Sequence, residues 1–151
     1  MKDAALNARQ QEVRNMTLID KLSVRWYRHQ IGAVQLQRLS ERELFVSLVD
    51  QGWIGPEGVA DGGLGQINIS GDTAEGEFLS SGQSTQFKFR FVKEDGVWRL
   101  DLTAQLPIVD QTMRAFFMKT DMSEDKFIAR MLEEVSGKPV TKDIWEPLIK
   151  E

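Results

Sequence analysis

The stretch Thr85–Thr103, TQFKFRFVKEDGVWRLDLT, constrains the fold most tightly, because alternation, turn chemistry and cross-strand charge agree there. Asp95-Gly96 suits the two central positions of a type I′ turn, both of which need φ > 0. The register follows from that turn: Glu94 faces Val97, Phe91 faces Leu100, Arg90 faces Asp101 and Phe89 faces Leu102. Successive strand side chains point to opposite faces, so Phe87, Phe89 and Phe91 share one face with Trp98, Leu100 and Leu102. Lys88, Arg90, Arg99, Asp101 and Thr103 share the other. A slip of one residue would set the aromatic row against the charged row, so the pattern resists slippage. A sheet with one apolar face must bury it, and the cover is expected from the periodic segments on either side.

Upstream, Ile67 and Ile69 alternate with Asn68 and Ser70, Gly71-Asp72 forms a turn, and Ala74, Gly76 and Phe78 alternate with Glu75 and Glu77. Ile69 then faces Ala74 and Ile67 faces Gly76. A glycine inside a strand, opposite a large residue, implies a bulge or sharp bend. Ser80 to Gln83 turns the chain into the hairpin, completing an antiparallel meander of four strands over residues 66 to 104. The stretch before it, GWIGPEGVADGGLG from Gly52 to Gly65, reads as a loop or broken strand plugged into the core by Trp53 and Ile54.

Helices flank the meander. From Asp3 to about Gln30 there is no Gly or Pro, and Leu18, Ile19, Leu22 and Trp26 recur at helical spacing, so one long helix is predicted, with Gly32 closing it. Its polar start, Asp3 to Asn15, is expected to fray or reach toward a partner. Ser40 and Glu43 form a capping box for a helix over Glu41 to Gln51, with a staple from Leu39 to Leu44 and an inward stripe of Phe45, Leu48 and Val49. After the meander, Pro107 sits at a first helical position, before a stripe of Val109, Met113, Phe116 and Phe117. Ser123-Glu124-Asp125 caps a further helix bearing Phe127, Ile128, Met131, Leu132 and Val135, ended by Gly137 with Pro139 beyond. Thr141 caps a last short turn carrying Ile144 and Trp145 before Pro147.

A length of 151 residues suits a single domain with one core. The net charge of −4 argues against a dedicated nucleic-acid binder. No apolar run approaches a membrane span of about 20 residues. Zero cysteines exclude disulfides, thiolate metal sites and cysteine nucleophiles, and one histidine without convergent carboxylates makes no metal site, so no cofactor is expected. MKDAALNARQQEVRN holds no apolar signal-peptide core. The expectation is therefore a cytoplasmic protein, or an exported one if a signal or anchor has been removed from it.

The capped second helix ending in Gly-Trp, the segment Ile-Asn-Ile-Ser-Gly-Asp-Thr-Ala-Glu-Gly and the closing Lys-Glu-Asp-Gly-Val-Trp-Arg-Leu-Asp-Leu resemble the nuclear transport factor 2-like cone over residues 16 to 104. That superfamily, in which ketosteroid isomerase and polyketide-cyclase-like proteins also fall along with uncharacterised bacterial domains, hosts enzymes, binders and scaffolds alike. The resemblance implies an α+β fold, with N-terminal helices packed on a bent meander, a pocket between them, and a homodimer formed through the sheet. Residues 105 to 151 depart from it as an added helical tail. Residues 1 to 15 are an extension.

If the cone holds a cavity, Trp26, Phe45, Trp53, Phe89, Phe91, Trp98 and Leu100 are expected to line it, although an aromatic sheet face is more simply core. Arg25, Arg28 and His29 share a helix face. They form either a clamp for an anionic substrate with His29 as proton carrier, or an exposed flank paired with Asp and Glu, the reading preferred here. An isomerase-like site needs an acidic base beside a Tyr donor. The only tyrosine is Tyr27, which joins His29 among the pocket candidates. Asp101 is assigned to a cross-strand pair with Arg90, Asp50 to solvent, and Glu75 and Glu77 to the outer sheet face, so no catalytic constellation is expected. The function that follows is a non-catalytic ligand-binding or protein-interaction domain, homodimeric, with a small hydrophobic ligand as a second partner. The alternative is an isomerase, dehydratase or cyclase acting on a hydrophobic substrate.

Overall fold

The computed structural model describes residues 1–50 and 62–149, an α+β chain. It divides into two compact units, Met1–Val49 with Thr112–Glu151, and Asp50–Gln111.

In the helical unit, the expected long first helix is three: α1 (Lys2–Asn7), α2 (Gln10–Arg14) and α3 (Leu18–Gln30). The breaks have local causes. The Arg9 N–H donates to Glu12 Oε2 at 2.6 Å, starting α2 afresh. Thr17 Oγ1 accepts from the Asp20 N–H at 3.2 Å, starting α3. The Thr-x-x-Asp spacing at residues 17 to 20 is a capping signal that unbroken helix propensity conceals. α3 is the hub of this unit, packing against α1, α2, the helix Glu124–Ser136 and the 3₁₀ turn Lys142–Trp145. Leu18, Leu22, Val24 and Trp26 are buried on it together with Lys21, Arg25 and Arg28, so it is covered on nearly all sides.

Gly32 is followed at once by a short helix that periodicity had not suggested, α4 (Ala33–Arg38). α5 (Glu41–Asp50) starts on the expected capping box: the Ser40 N–H donates to Glu43 Oε2 at 2.7 Å, and the Glu43 N–H to Ser40 Oγ at 3.3 Å. Its stripe is corrected. Leu44 is the buried residue, while Phe45 and Val49 are exposed, because the packed side of α5 runs one residue out of phase with the expected one. The side chain of Leu48 lies outside the described set. α7 (Glu124–Ser136) is capped by Ser123, whose Oγ accepts from the Lys126 N–H at 3.4 Å, and stopped by Gly137 at φ 66°. Phe127, Ile128 and Leu132 are buried, whereas Val135 is exposed. A 3₁₀ turn over Lys142–Trp145 follows and buries Ile144. The Ile149 N–H donates to Leu6 O at 2.9 Å, tying the end of this segment to α1. α7 and the 3₁₀ turn are thus integral to the helical core.

The second unit is an antiparallel sheet in the order β1 (Gly62–Ser70), β2 (Thr73–Ser80), β3 (Gln83–Glu94), β4 (Val97–Leu100). Asp95 and Gly96 have φ of 50° and 79°, and Glu94 pairs with Val97 and Phe91 with Leu100, as the turn dictates. Ile69 pairs with Ala74 and Ile67 with Gly76, and the register shifts between Leu64 and Ile67 as a bulge. The strand starts earlier than expected, so Gly62 to Gly65 belong to β1. Trp53, Ile54 and the rest of the Gly-rich stretch lie outside the described residues. Phe78, Phe87 and Phe89 stack edge to face at centroid distances of 5.1 to 6.0 Å.

The strand does not continue to Thr103. Asp101 Oδ1 accepts from Thr103 Oγ1 at 2.6 Å and from the Ala104 N–H at 3.2 Å, so helix α6 (Leu102–Phe117) begins there. Asp101 still meets Arg90, at 3.7 Å. Pro107 therefore lies inside α6 rather than at its start. Leu102 leaves the sheet, and the place opposite Phe89 is filled by a side chain instead. Assigned from its neighbours, with nitrogen toward Lys88 O at 3.1 Å and oxygen toward the Arg90 N–H at 2.9 Å, the buried Gln105 amide acts as one more rung of the ladder.

Candidate functional site

The basic cluster on α3 was the most suggestive polar feature of the sequence, and the structure assigns it to packing. Arg28 is buried. Its guanidinium donates to Ala5 O at 2.9 Å, Ala4 O at 3.0 Å, Ala8 O at 2.5 Å and Ile144 O at 3.4 Å. Carbonyls at the end of α1 run out of helical donors, and Arg28 supplies donors from α3, joining the Ala8 N–H on Ala4 O. Burial, with the neighbouring Arg25 charge, lowers its pKa to about 10. Arg25 is buried as well. It lies over the Trp145 ring at 4.4 Å and 3.8 Å from Asp125, while Lys21 meets Glu124 at 2.6 Å. The expected exposed flank is therefore corrected for both arginines: α3 is central, so the face they share is covered by α1, α7 and the 3₁₀ turn. His29 Nε2 shares a hydrogen bond with Ser136 Oγ at 3.0 Å, and burial together with Lys138 lowers its pKa.

A cleft of about 250 Å³ opens in the same unit, lined by Met1, Lys2, Tyr27, Glu41, Leu44 and Phe45. Each element contributes for a local reason. α3 presents Tyr27 one position beyond the buried Trp26. The first turns of α5, fixed by the Ser40 box, present Glu41, Leu44 and Phe45. Lys2 Nζ donates to Gln37 O at 2.8 Å and Leu39 O at 2.6 Å, at the end of α4, which holds the start of α1 beside the cleft. Tyr27 is only 6% exposed, and among the described residues no protein group hydrogen-bonds its hydroxyl. Burial first, and then the Glu41 charge, raise its pKa. The phenol therefore stays protonated and available as a donor.

The pocket candidates separate. Tyr27 and Phe45 share this cleft. Trp26 is buried within the helical unit, its ring 6.5 Å from that of His29, and His29 is committed to Ser136. Phe89 and Phe91 are half-buried in the sheet unit. Trp98, expected to be enclosed, is 38% exposed with Lys93 Nζ 5.8 Å from its ring centroid, because β4 is an edge strand flanked only by β3. Leu100 on the same strand is exposed too. Trp53 lies outside the described residues. Sequence reasoning missed Lys2, Glu41 and Leu44 as cleft residues. The signal for the last two was the capping box, which fixes the phase of α5.

On the polar face of the sheet, Glu75 meets Lys88 at 3.7 Å and Glu94 meets Arg99 at 3.3 Å, all largely exposed. Such pairs contribute little. No cluster of metal-ligating side chains occurs among the described residues, and no described helix is long and apolar enough to cross a membrane. No protein-family model, curated protein or solved structure matches the chain.

Proposed function

We propose that this chain is a non-catalytic ligand-binding or protein-interaction domain that works as a homodimer through its sheet. One observation carries the reading. The register puts Ile67, Ile69, Trp98 and Leu100 on the same sheet face as the phenylalanines, and all four of these side chains are exposed, Ile69 to 65%. Soluble monomers rarely leave such an apolar row open, and rows of this kind mark interaction surfaces. The nuclear transport factor 2-like assignment, which we retain as part of this proposal, supports the same face, since such cones pair through their sheets. The order of helices followed by a bulged meander is what favours that assignment.

The alternative, an isomerase, dehydratase or cyclase, calls for a base beside a donor within a cavity. It calls for Tyr27 or His29 to face that cavity; Tyr27 lines a cleft, while His29 is hydrogen-bonded to Ser136.

Native mass spectrometry of the purified chain and of Ile69→Lys tests the proposal. A dimer that Ile69→Lys converts to monomer, with the folded signature intact, is expected. A wild-type chain that is monomeric at tens of micromolar, or a dimer indifferent to the substitution, would contradict it.

A further inference from the structure

The cleft beside Tyr27 is built like a receptor for a small molecule, and its polar groups restrict what that molecule can be. Its inner wall is apolar: the Leu44 side chain, the rings of Phe45 and Tyr27, and Met1. At about 250 Å³ it lies below the usual range for drug-sized ligands, which begins near ~300 Å³, so its occupant is about the size of a single ring. One polar atom is unanswered there. Tyr27 is 6% exposed as a residue, and its hydroxyl has no hydrogen-bond partner among the described residues but is not sealed from solvent, so it is a donor open to the cleft. A ligand acceptor that replaces water on this hydroxyl gains a hydrogen bond of ordinary net strength, about 1 kcal/mol, in a site whose other lining is mostly apolar.

The charge around the cleft sets the sign. Lys2 shares the lining but is turned to the carbonyls of Gln37 and Leu39, where it answers the end of α4. Glu41, exposed in the lining, keeps its carboxylate free of any described hydrogen bond or ion pair. A bound anion would meet that carboxylate in a partly dry site, which is unfavourable. A neutral acceptor meets no such penalty.

We infer that this cleft binds a small neutral molecule of single-ring size, apolar over most of its surface, whose carbonyl oxygen accepts a hydrogen bond from the Tyr27 hydroxyl. The inference rests on the ligand-binding half of the proposed function. It fails separately from the dimer, because the sheet-face substitution lies in the other unit and reads out subunit count.

Acetophenone, toluene and benzoate serve as probes of the full chain, with affinities from saturation-transfer and chemical-shift titrations. Acetophenone is expected to bind and toluene to bind more weakly. Tyr27→Phe, which removes one oxygen and leaves the ring, is expected to weaken acetophenone about tenfold while leaving toluene unchanged. Glu41→Gln, on an exposed helical turn, is expected to admit benzoate, which the wild type excludes. The second substitution keeps the test decisive should the first disturb folding. Absence of acetophenone binding to the wild type, equal affinity in Tyr27→Phe, or benzoate binding that ignores residue 41 would overturn the inference, whatever the subunit count.

Discussion

In the helical unit apolar side chains of α3, α7 and the 3₁₀ turn such as Leu22, Ile128 and Ile144 are sealed from water, and in the sheet unit Ile67, Ile69, Trp98 and Leu100 of β1 and β4 are not. Every buried apolar side chain among the described residues except Ala74 belongs to the helical unit. Yet the sheet is the more regular of the two, with an unbroken meander order and tight turns at positive φ. The contrast separates two things that a periodic sequence specifies together in simpler folds. Hydrogen-bond register is set locally, by turn residues and alternation, whereas burial depends on what the rest of the chain brings to a face. A well-specified register does not by itself bring a cover to the apolar face.

The strongest way to break that contrast is to remove the polar staple of the helical unit. Arg28→Ala should destabilise the protein by about 3 kcal/mol or more, because it strands several buried carbonyls at once. Arg28→Lys should recover little of this, since an ammonium cannot reach the same fan of acceptors. Denaturant titrations of both variants check it, and a lysine variant as stable as wild type would show that charge alone matters there.

A smaller effect is expected where the sheet borrows a side chain. Gln105→Ala deletes the false rung beside β3, leaving Lys88 O and the Arg90 N–H without it, and should cost about 1–3 kcal/mol. Faster hydrogen exchange confined to the Arg90 amide would locate the loss. Unchanged exchange would mean that solvent replaces the amide without cost.

The smallest effect is a pH dependence. The folded-state pKa of His29 lies below its ordinary 6.5, with burial the main cause. The unfolded chain therefore takes up a proton before the folded one does, so stability declines as pH falls below 6.5 and levels off once the folded form is protonated too. His29→Gln should flatten this part of the profile of melting temperature between about pH 8 and about pH 5. An unchanged slope would assign the acid sensitivity to carboxylates.

How much was legible in advance follows the same division. Asp95-Gly96 and the alternation around it gave the hairpin register from Glu94–Val97 to Phe91–Leu100, though not the strand's end, and Ile67 opposite Gly76 signalled the bulge in β1, because both are decided within a few residues. Ser40-Glu43 and Ser123-Gly137 likewise bounded their helices. What escaped was non-local. Nothing near Arg28 says that it will reach the carbonyls of α1, more than twenty positions earlier in the chain. Nothing at Asp101 decides between extending a strand and capping a helix until Gln105 is seen to fill the vacated rung. Of the candidate site, Tyr27 and Phe45 were expected in a cavity of the cone and instead line a cleft among the helices, whose other residues Glu41 and Lys2 came from the packing of α1 and α5 onto α3.

The central claim is that the core resides in the helical unit while the sheet leaves its apolar face open, and one matched pair of substitutions tests it most directly. Ile128 is 0% exposed and Ile69 is 65% exposed, so Ile128→Ala and Ile69→Ala delete the same atoms in opposite settings. Chemical denaturation at matched low protein concentration should show a loss of about 2–5 kcal/mol for Ile128→Ala and within about 1 kcal/mol of zero for Ile69→Ala. Equal losses would contradict the account, since they would mean that Ile69 is as enclosed as Ile128 and that the sheet face is already covered.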